Sequence, residues 1–153
     1  MKNIYLIVLF VTPVFFISCK KSEEPKNEAV STGKPAAQEA SGQLPGENKK
    51  CLLNDGAYFI YQFADAVQMG TVVLRVQIFD AGGKQVSGWD VRGYYGMPSM
   101  RGHHDSGEQV FQQNKKGDYL LPVNIAMPGE WEMNLIFLKD KKEVYRGLFT
   151  FSV

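Results

Sequence analysis

The stretch Thr71-Val72-Val73-Leu74-Arg75-Val76-Gln77-Ile78-Phe79-Asp80 decides the fold. Val72, Leu74, Val76 and Ile78 occupy alternate positions. In an extended chain successive side chains point to opposite faces, so these four share one face. β-branched residues dominate that face, and they suit the pleated, half-buried surface of a sheet. The stretch reads as a half-buried strand, and Ala81-Gly82-Gly83-Lys84 after it reads as a turn.

The same period repeats outward from this strand. Upstream it covers Ala57 to Phe63. Downstream it covers Gln85 to Tyr95, where Trp89, Val91 and Tyr95 share a face, and then Glu108 to Gln113. Asp118 to Ala126 follows with Tyr119, Leu121, Val123 and Ile125 inward, and Glu130 to Leu138 with Trp131, Met133, Leu135 and Phe137 inward. Glu143 to Ser152 closes the series with Tyr145, Phe149 and Phe151 inward. Pro122 lacks the amide hydrogen a ladder needs, which predicts an edge position or a bulge. No stretch has helical period, and no repeat is visible. The expected fold class is all-β: a seven-stranded immunoglobulin-like antiparallel sandwich over residues 51–153.

Upstream of Cys51 the composition changes. Lys20 to Lys50 is rich in Lys, Glu, Ala, Gly, Ser and Pro and has no aromatic residue. Such a segment buries too little apolar surface to offset the entropy of ordering. Residues 19–50 therefore read as a disordered tether, with a coil reach on the order of 30 Å. Before it, Lys2 precedes the apolar run Ile4 to Ile17, which is shorter than the roughly 20 residues of a spanning helix. Residues 1–18 read as a signal peptide. Phe16-Ile17-Ser18-Cys19 resembles the lipobox of bacterial lipoproteins, with Phe16 where leucine is usual. The resemblance implies that Cys19 is the lipidation site and carries acyl chains such as palmitate, each worth about 0.8 kcal/mol per buried methylene. An uncleaved anchor, or an ordinary signal peptide with an incidental Cys19, is the other reading. The expected location is the cell envelope: membrane lipid-anchored, facing the periplasm or the surface.

Several function classes are excluded. Seventeen basic and 16 acidic residues balance, and no basic stripe appears, so nucleic acid is not an expected partner. Two cysteines make no disulfide framework. With Cys19 lipidated, Cys51 is left for an intermolecular disulfide, for copper, or as a small residue at the domain entrance. His103-His104-Asp105-Ser106 holds the residue types of a hydrolytic triad, but a triad needs groups converging from different elements. No glycine-rich phosphate loop precedes a helix. The expectation is a protein that is not an enzyme.

The segment Gly96-Met97-Pro98-Ser99-Met100-Arg101-Gly102-His103-His104-Asp105-Ser106-Gly107 carries the chemistry. Thioether sulfur is a soft ligand suited to Cu(I), and imidazole suits copper generally. If successive strands run antiparallel, the first, third and fifth connections share one end of the sandwich. Those connections hold Met69, then Met97, Met100, His103 and His104, then Met127-Pro128-Gly129. Met69, Met97, Met100, His103, His104 and Met127 are thus candidate ligands for copper or another soft metal. The plainer reading is a set of turns with methionines capping the core and solvated histidines. The opposite end carries lysine-rich turns, either a simple solvated face or a face toward anionic lipid.

Asp80-Ala81-Gly82-Gly83-Lys84-Gln85-Val86, Met97-Pro98-Ser99-Met100-Arg101-Gly102-His103, Gly117-Asp118-Tyr119 and Met127-Pro128-Gly129-Glu130-Trp131, in that order, resemble the YtkA-like domain and its FixH-like relatives. The resemblance covers Thr71 to Val153. It implies a small extracytoplasmic β-sandwich linked to copper handling, cation export or respiratory oxidase assembly, with Met97, Met100, His103 and Met127 at the ligand positions. The chain lacks the long transmembrane helix expected of FixH-like proteins. Expected partners are the membrane, through the lipid anchor, and an envelope transport or respiratory protein. The alternative is a metal-free interaction or scaffold domain of an envelope complex.

Overall fold

The computed structural model describes residues 41–53 and 56–153. The signal peptide, Cys19 and the tether up to residue 40 lie outside the described residues. Two five-stranded sheets face each other. One has the order β1 (Ser41–Gln43), β10 (Lys142–Ser152), β9 (Glu130–Lys139), β5 (Asp90–Gly96), β6 (Gln109–Val110). The other has the order β2 (Cys51–Leu52), β3 (Tyr58–Phe63), β4 (Gly70–Phe79), β8 (Tyr119–Ile125), β7 (Gln112–Gln113). All seven expected strands are present, the fourth as β6 plus β7. Their order is that of a constant-type immunoglobulin sandwich.

The inward positions expected of β4, β8 and β9 are buried, and β9 is buried on both faces at its centre, where Asn134 and Ile136 are also covered. Val72, Leu74, Val76 and Ile78 are buried, as are Tyr119, Leu121, Val123 and Ile125 from β8 and Trp131, Met133, Leu135 and Phe137 from β9. Each such side chain contributes roughly 1.5–3 kcal/mol of burial free energy. Two tyrosines brace the sheets across this core. The Tyr95 hydroxyl of β5 accepts the Asn124 amide of β8 at 3.0 Å. The Tyr119 hydroxyl of β8 accepts the Trp89 amide ahead of β5, also at 3.0 Å.

The structure corrects three boundaries. The third strand begins at Asp90, not Gln85. Gln85 still bridges Phe79, and the Val86 amide donates to the Ile78 carbonyl. The chain crosses to the other sheet only at Gly88, whose φ of 88° favours glycine. The fourth strand is broken because it changes sheet: β6 pairs with β5 and β7 with β8, with Phe111 buried between them. Gly93 makes room for that crossing, since a Cβ there would lie 3.1 Å from the Phe111 ring. Finally, order begins upstream of Cys51, in residues expected to be tether. β1 pairs in parallel with β10, Leu44 is buried on Gly147, and the Asn48 amide donates to the Tyr61 carbonyl. This strap runs from an edge of one sheet to an edge of the other and closes that side of the sandwich.

Pro122 lies on β8, between β4 and β7, yet β7 pairs only with Tyr119 and Leu120. Beyond them β8 is locally an edge, so the missing amide hydrogen breaks no ladder bond.

Candidate functional site

The β3–β4, β5–β6 and β8–β9 connections share one rim. Gly70 at the start of β4 pairs with Ile125 at the end of β8, which places Met69 and Ala126 at the same level. A Cβ on Gly129 would lie 2.7 Å from the Met97 methyl, so the β5–β6 loop rests directly on the β8–β9 turn. The expected gathering at one rim is what the strand order produces.

The long loop is ordered by its own hydrogen bonds. Its base is closed where Tyr95 and Ser106 exchange two bonds, Ser106 N–H to the Tyr95 carbonyl at 2.8 Å and Tyr95 N–H to the Ser106 hydroxyl at 2.9 Å. Pro98–Met100 forms one 3₁₀ turn. Its proline fixes φ at the first position. The Met100 amide donates to Met97 and the His103 amide to Met100. Asp105 accepts the Gly102 amide at 2.7 Å and packs against Gly96, where no Cβ fits. Among the described residues, the His103 and His104 rings have no hydrogen-bond or ion-pair partner. Their nitrogens are available to a ligand.

The six sulfur and imidazole candidates divide into two groups. Met100 is 38% and Met69 61% exposed, His103 is exposed, and His104 and Met127 are half-buried. Met97 is only 6% exposed and belongs to the core. The expectation that Met97 is a candidate ligand on the open rim is therefore corrected. Its side chain turns inward from the end of β5 and fills the gap above Gly129. Trp131 stiffens the facing turn by donating its indole N–H to the Met127 carbonyl at 3.2 Å. Among the described residues, no three His, Cys, Asp or Glu side chains gather as a metal site.

One neighbour of the loop was not singled out in the sequence. Glu132 of β9 forms a 3.5 Å ion pair with Arg101 and accepts a 2.9 Å hydrogen bond from the Asn134 side-chain Nδ2. With Tyr94, Met97 and Asp105 these residues line a cleft of about 10 Å³, the scale of one water. The outward parity of Glu132, between inward Trp131 and Met133, was its only signal.

Cys51 is 3% exposed, its Sγ–H points to the Lys49 carbonyl, and burial pushes its thiol up to about 11. In the folded chain it is a small buried residue of the core. At the opposite end, Asp118 is buried under the β7–β8 turn. Burial raises its pKa, but hydrogen bonds from Gln77, Asn114 and Gln85 and the charge of Arg75 outweigh that and hold it below the ordinary carboxylate value.

A family model described as YtkA-like matches residues 54–135, more than half of the 153-residue chain. The chain belongs to the YtkA-like family. The match runs from the approach to β3 into β9, so it takes in the whole β5–β6 loop and the β8–β9 turn. The strap and β10 lie outside it. No curated protein matches this YtkA-like chain. Two solved structures are similar to it, both of FetP from uropathogenic E. coli strain F11. The as-isolated protein, expressed in the periplasm, has 10% identity and a TM-score of 0.47, covering 69% of this chain and 92% of that one. A copper-bound glutamate-to-glutamine variant has 9% identity and a TM-score of 0.43 with the same coverage. No helix of the described residues is long and apolar enough to cross a membrane.

Proposed function

We propose that this YtkA-like domain is a non-catalytic module of the cell envelope, held to a membrane through lipidated Cys19, whose Met/His rim captures Cu(I). One observation carries the reading. A loop ordered by its own backbone bonds presents Met100 and two unpartnered imidazoles on the rim that also carries Met127 and Met69. Thioether and imidazole donors match a soft monovalent ion and serve hard cations poorly. Met97 holds the β5–β6 loop against Gly129 from within the core, and Met100, His103, His104 and Met127 are the residues that would hold the ion. Met69, the most exposed, would close over it. The role is carrier or sensor, in exchange with an envelope transport or respiratory partner.

The test is a Cu(I) titration of the full-length chain in detergent against a competing chelator. Replacing Met100, His103 and Met127 together, by Leu, Ala and Leu, is expected to weaken binding at least 100-fold, about 2.8 kcal/mol. Unchanged affinity in that variant removes the reading.

A further inference from the structure

Every lysine among the described residues except Lys49 and Lys50 lies in or directly beside the three turns opposite the Met/His rim. Lys84 follows β4, Lys115 and Lys116 precede β8, and Lys139, Lys141 and Lys142 form the β9–β10 hairpin. Side-chain contacts tie these turns into one surface. Gln85 donates to Asp118 at 3.1 Å, and the Lys139 ammonium sits 5.5 Å from the Trp89 ring centroid. Lys50 extends the surface, 4.4 Å over the Tyr58 ring. Most acids here are already engaged. Asp80 accepts the Lys84 amide, Asp118 is buried in its amide network, and Glu143 pairs with Arg146 at 2.7 Å. Asp140 is the exposed exception.

This arrangement weakens the fold locally. Lys139 and Lys142 stand directly opposite each other across the hairpin. Like charges in that position are destabilising. Asp140 and Lys141 between them take φ values of 52° and 63°, the left-handed pair a two-residue hairpin turn demands. Charge concentrated against local stability is the pattern of a binding surface. The course of β1 is a second, independent observation. It runs parallel to β10 from Ser41 opposite Arg146, so its leading end points toward the β9–β10 turn. Ser41, the first described residue, thus lies at the end of β1 nearer the lysine turns.

We propose that this lysine end rests on an anionic lipid bilayer, its ammonium groups against phosphate headgroups, and so turns the Met/His rim away from the membrane. The proposal rests on the lipid-anchor reading, which brings a bilayer within reach of the domain. Basic clusters near anionic leaflets gain from each added lysine, and the attraction fades within a Debye length. An open groove of about 520 Å³, lined by Val73, Arg75, Lys115, Lys116, Asp118 and Leu120, adjoins the same end.

The experiment mixes the full-length chain, purified from membranes in detergent, with vesicles of phosphatidylcholine alone or enriched in phosphatidylglycerol. Co-sedimentation reads binding, and acetylation by a soluble reagent reads lysine exposure. On phosphatidylglycerol vesicles Lys115, Lys116, Lys139 and Lys141 are expected to react several-fold more slowly than on phosphatidylcholine. That protection should vanish in about 1 M salt, where the Debye length is about 3 Å. Replacing exposed Lys115, Lys116 and Lys141 by Glu should abolish the protection of Lys139, and replacing them by Gln should reduce it. Binding to both vesicle types with equal lysine reactivity overturns the proposal and leaves the anchor reading intact. Protected binding to phosphatidylglycerol vesicles alone removes the anchor reading and overturns the proposal as an orientation set by the anchor. Binding to neither overturns both.

Discussion

At one end of the sandwich, three connections carry Met69, Met100, His103, His104 and Met127 beside Asp65, Asp105, Glu130 and Glu132. At the other, three turns carry six lysines and neither sulfur nor imidazole. Each end is braced by a tyrosine that reaches across the core, Tyr95 at the first and Tyr119 at the second. The scaffold is therefore nearly symmetrical, and the chemistry is not. The difference lies in how the connections are made. The lysine end uses tight turns set by Gly83, Gly117 and the Asp140-Lys141 pair, with positive φ at each. The rim uses a long loop that must supply its own order, through Pro98, Asp105 and Ser106, and must be pinned to the core by Met97. Tight turns expose charge in fixed places. A long, pinned loop can bring donors from distant strands to one point.

Three measurements break or sharpen that contrast. The largest effect is expected at Met97. Met97→Ala should cost about 2–4 kcal/mol in urea unfolding, because it opens a gap above Gly129. Met100→Ala should cost less than about 0.5 kcal/mol, as a partly exposed loop residue. Equal losses would erase the division between the methionine that plugs the core and the one that faces out.

Next come the braces. Tyr95→Phe and Tyr119→Phe each leave a backbone amide without its acceptor, for an expected loss of about 1–2 kcal/mol apiece. Calorimetric melts that show a cost at only one end would mean that the scaffold is less symmetrical than its hydrogen bonds.

The smallest effect belongs to Asp118. Its folded pKa lies below its unfolded value, so its contribution to stability is fully present above about pH 4 and is lost as pH falls through the folded pKa. Asp118→Asn should cost about 1 kcal/mol at neutral pH and flatten that acid limb. An acid limb as steep in the variant as in the parent would place the sensitive carboxylate elsewhere.

Much of this molecule is local, and local features are legible in a sequence. Alternate burial of Val72, Leu74, Val76 and Ile78 needs no knowledge of any partner, and neither do the runs around Leu121 and Leu135. Seven such runs, joined as antiparallel neighbours, already assign odd and even connections to opposite ends. The shared rim of Met69, Met100, His103 and Met127 follows from that parity alone, as does the opposite gathering of lysines. What remained hidden depends on contacts between distant residues. Leu44 reads as part of a polar tether until Gly147 offers it a gap, and Ser41–Gln43 has no strand pattern until β10 offers its edge. Met97 sits among loop residues in the chain, yet the methyl-sized space above Gly129 makes it part of the core. Phe111 likewise divides one expected strand because two sheets compete for it. Period and parity are properties of a single chain segment. Burial at a rim is a property of two surfaces meeting, and only folding brings them together.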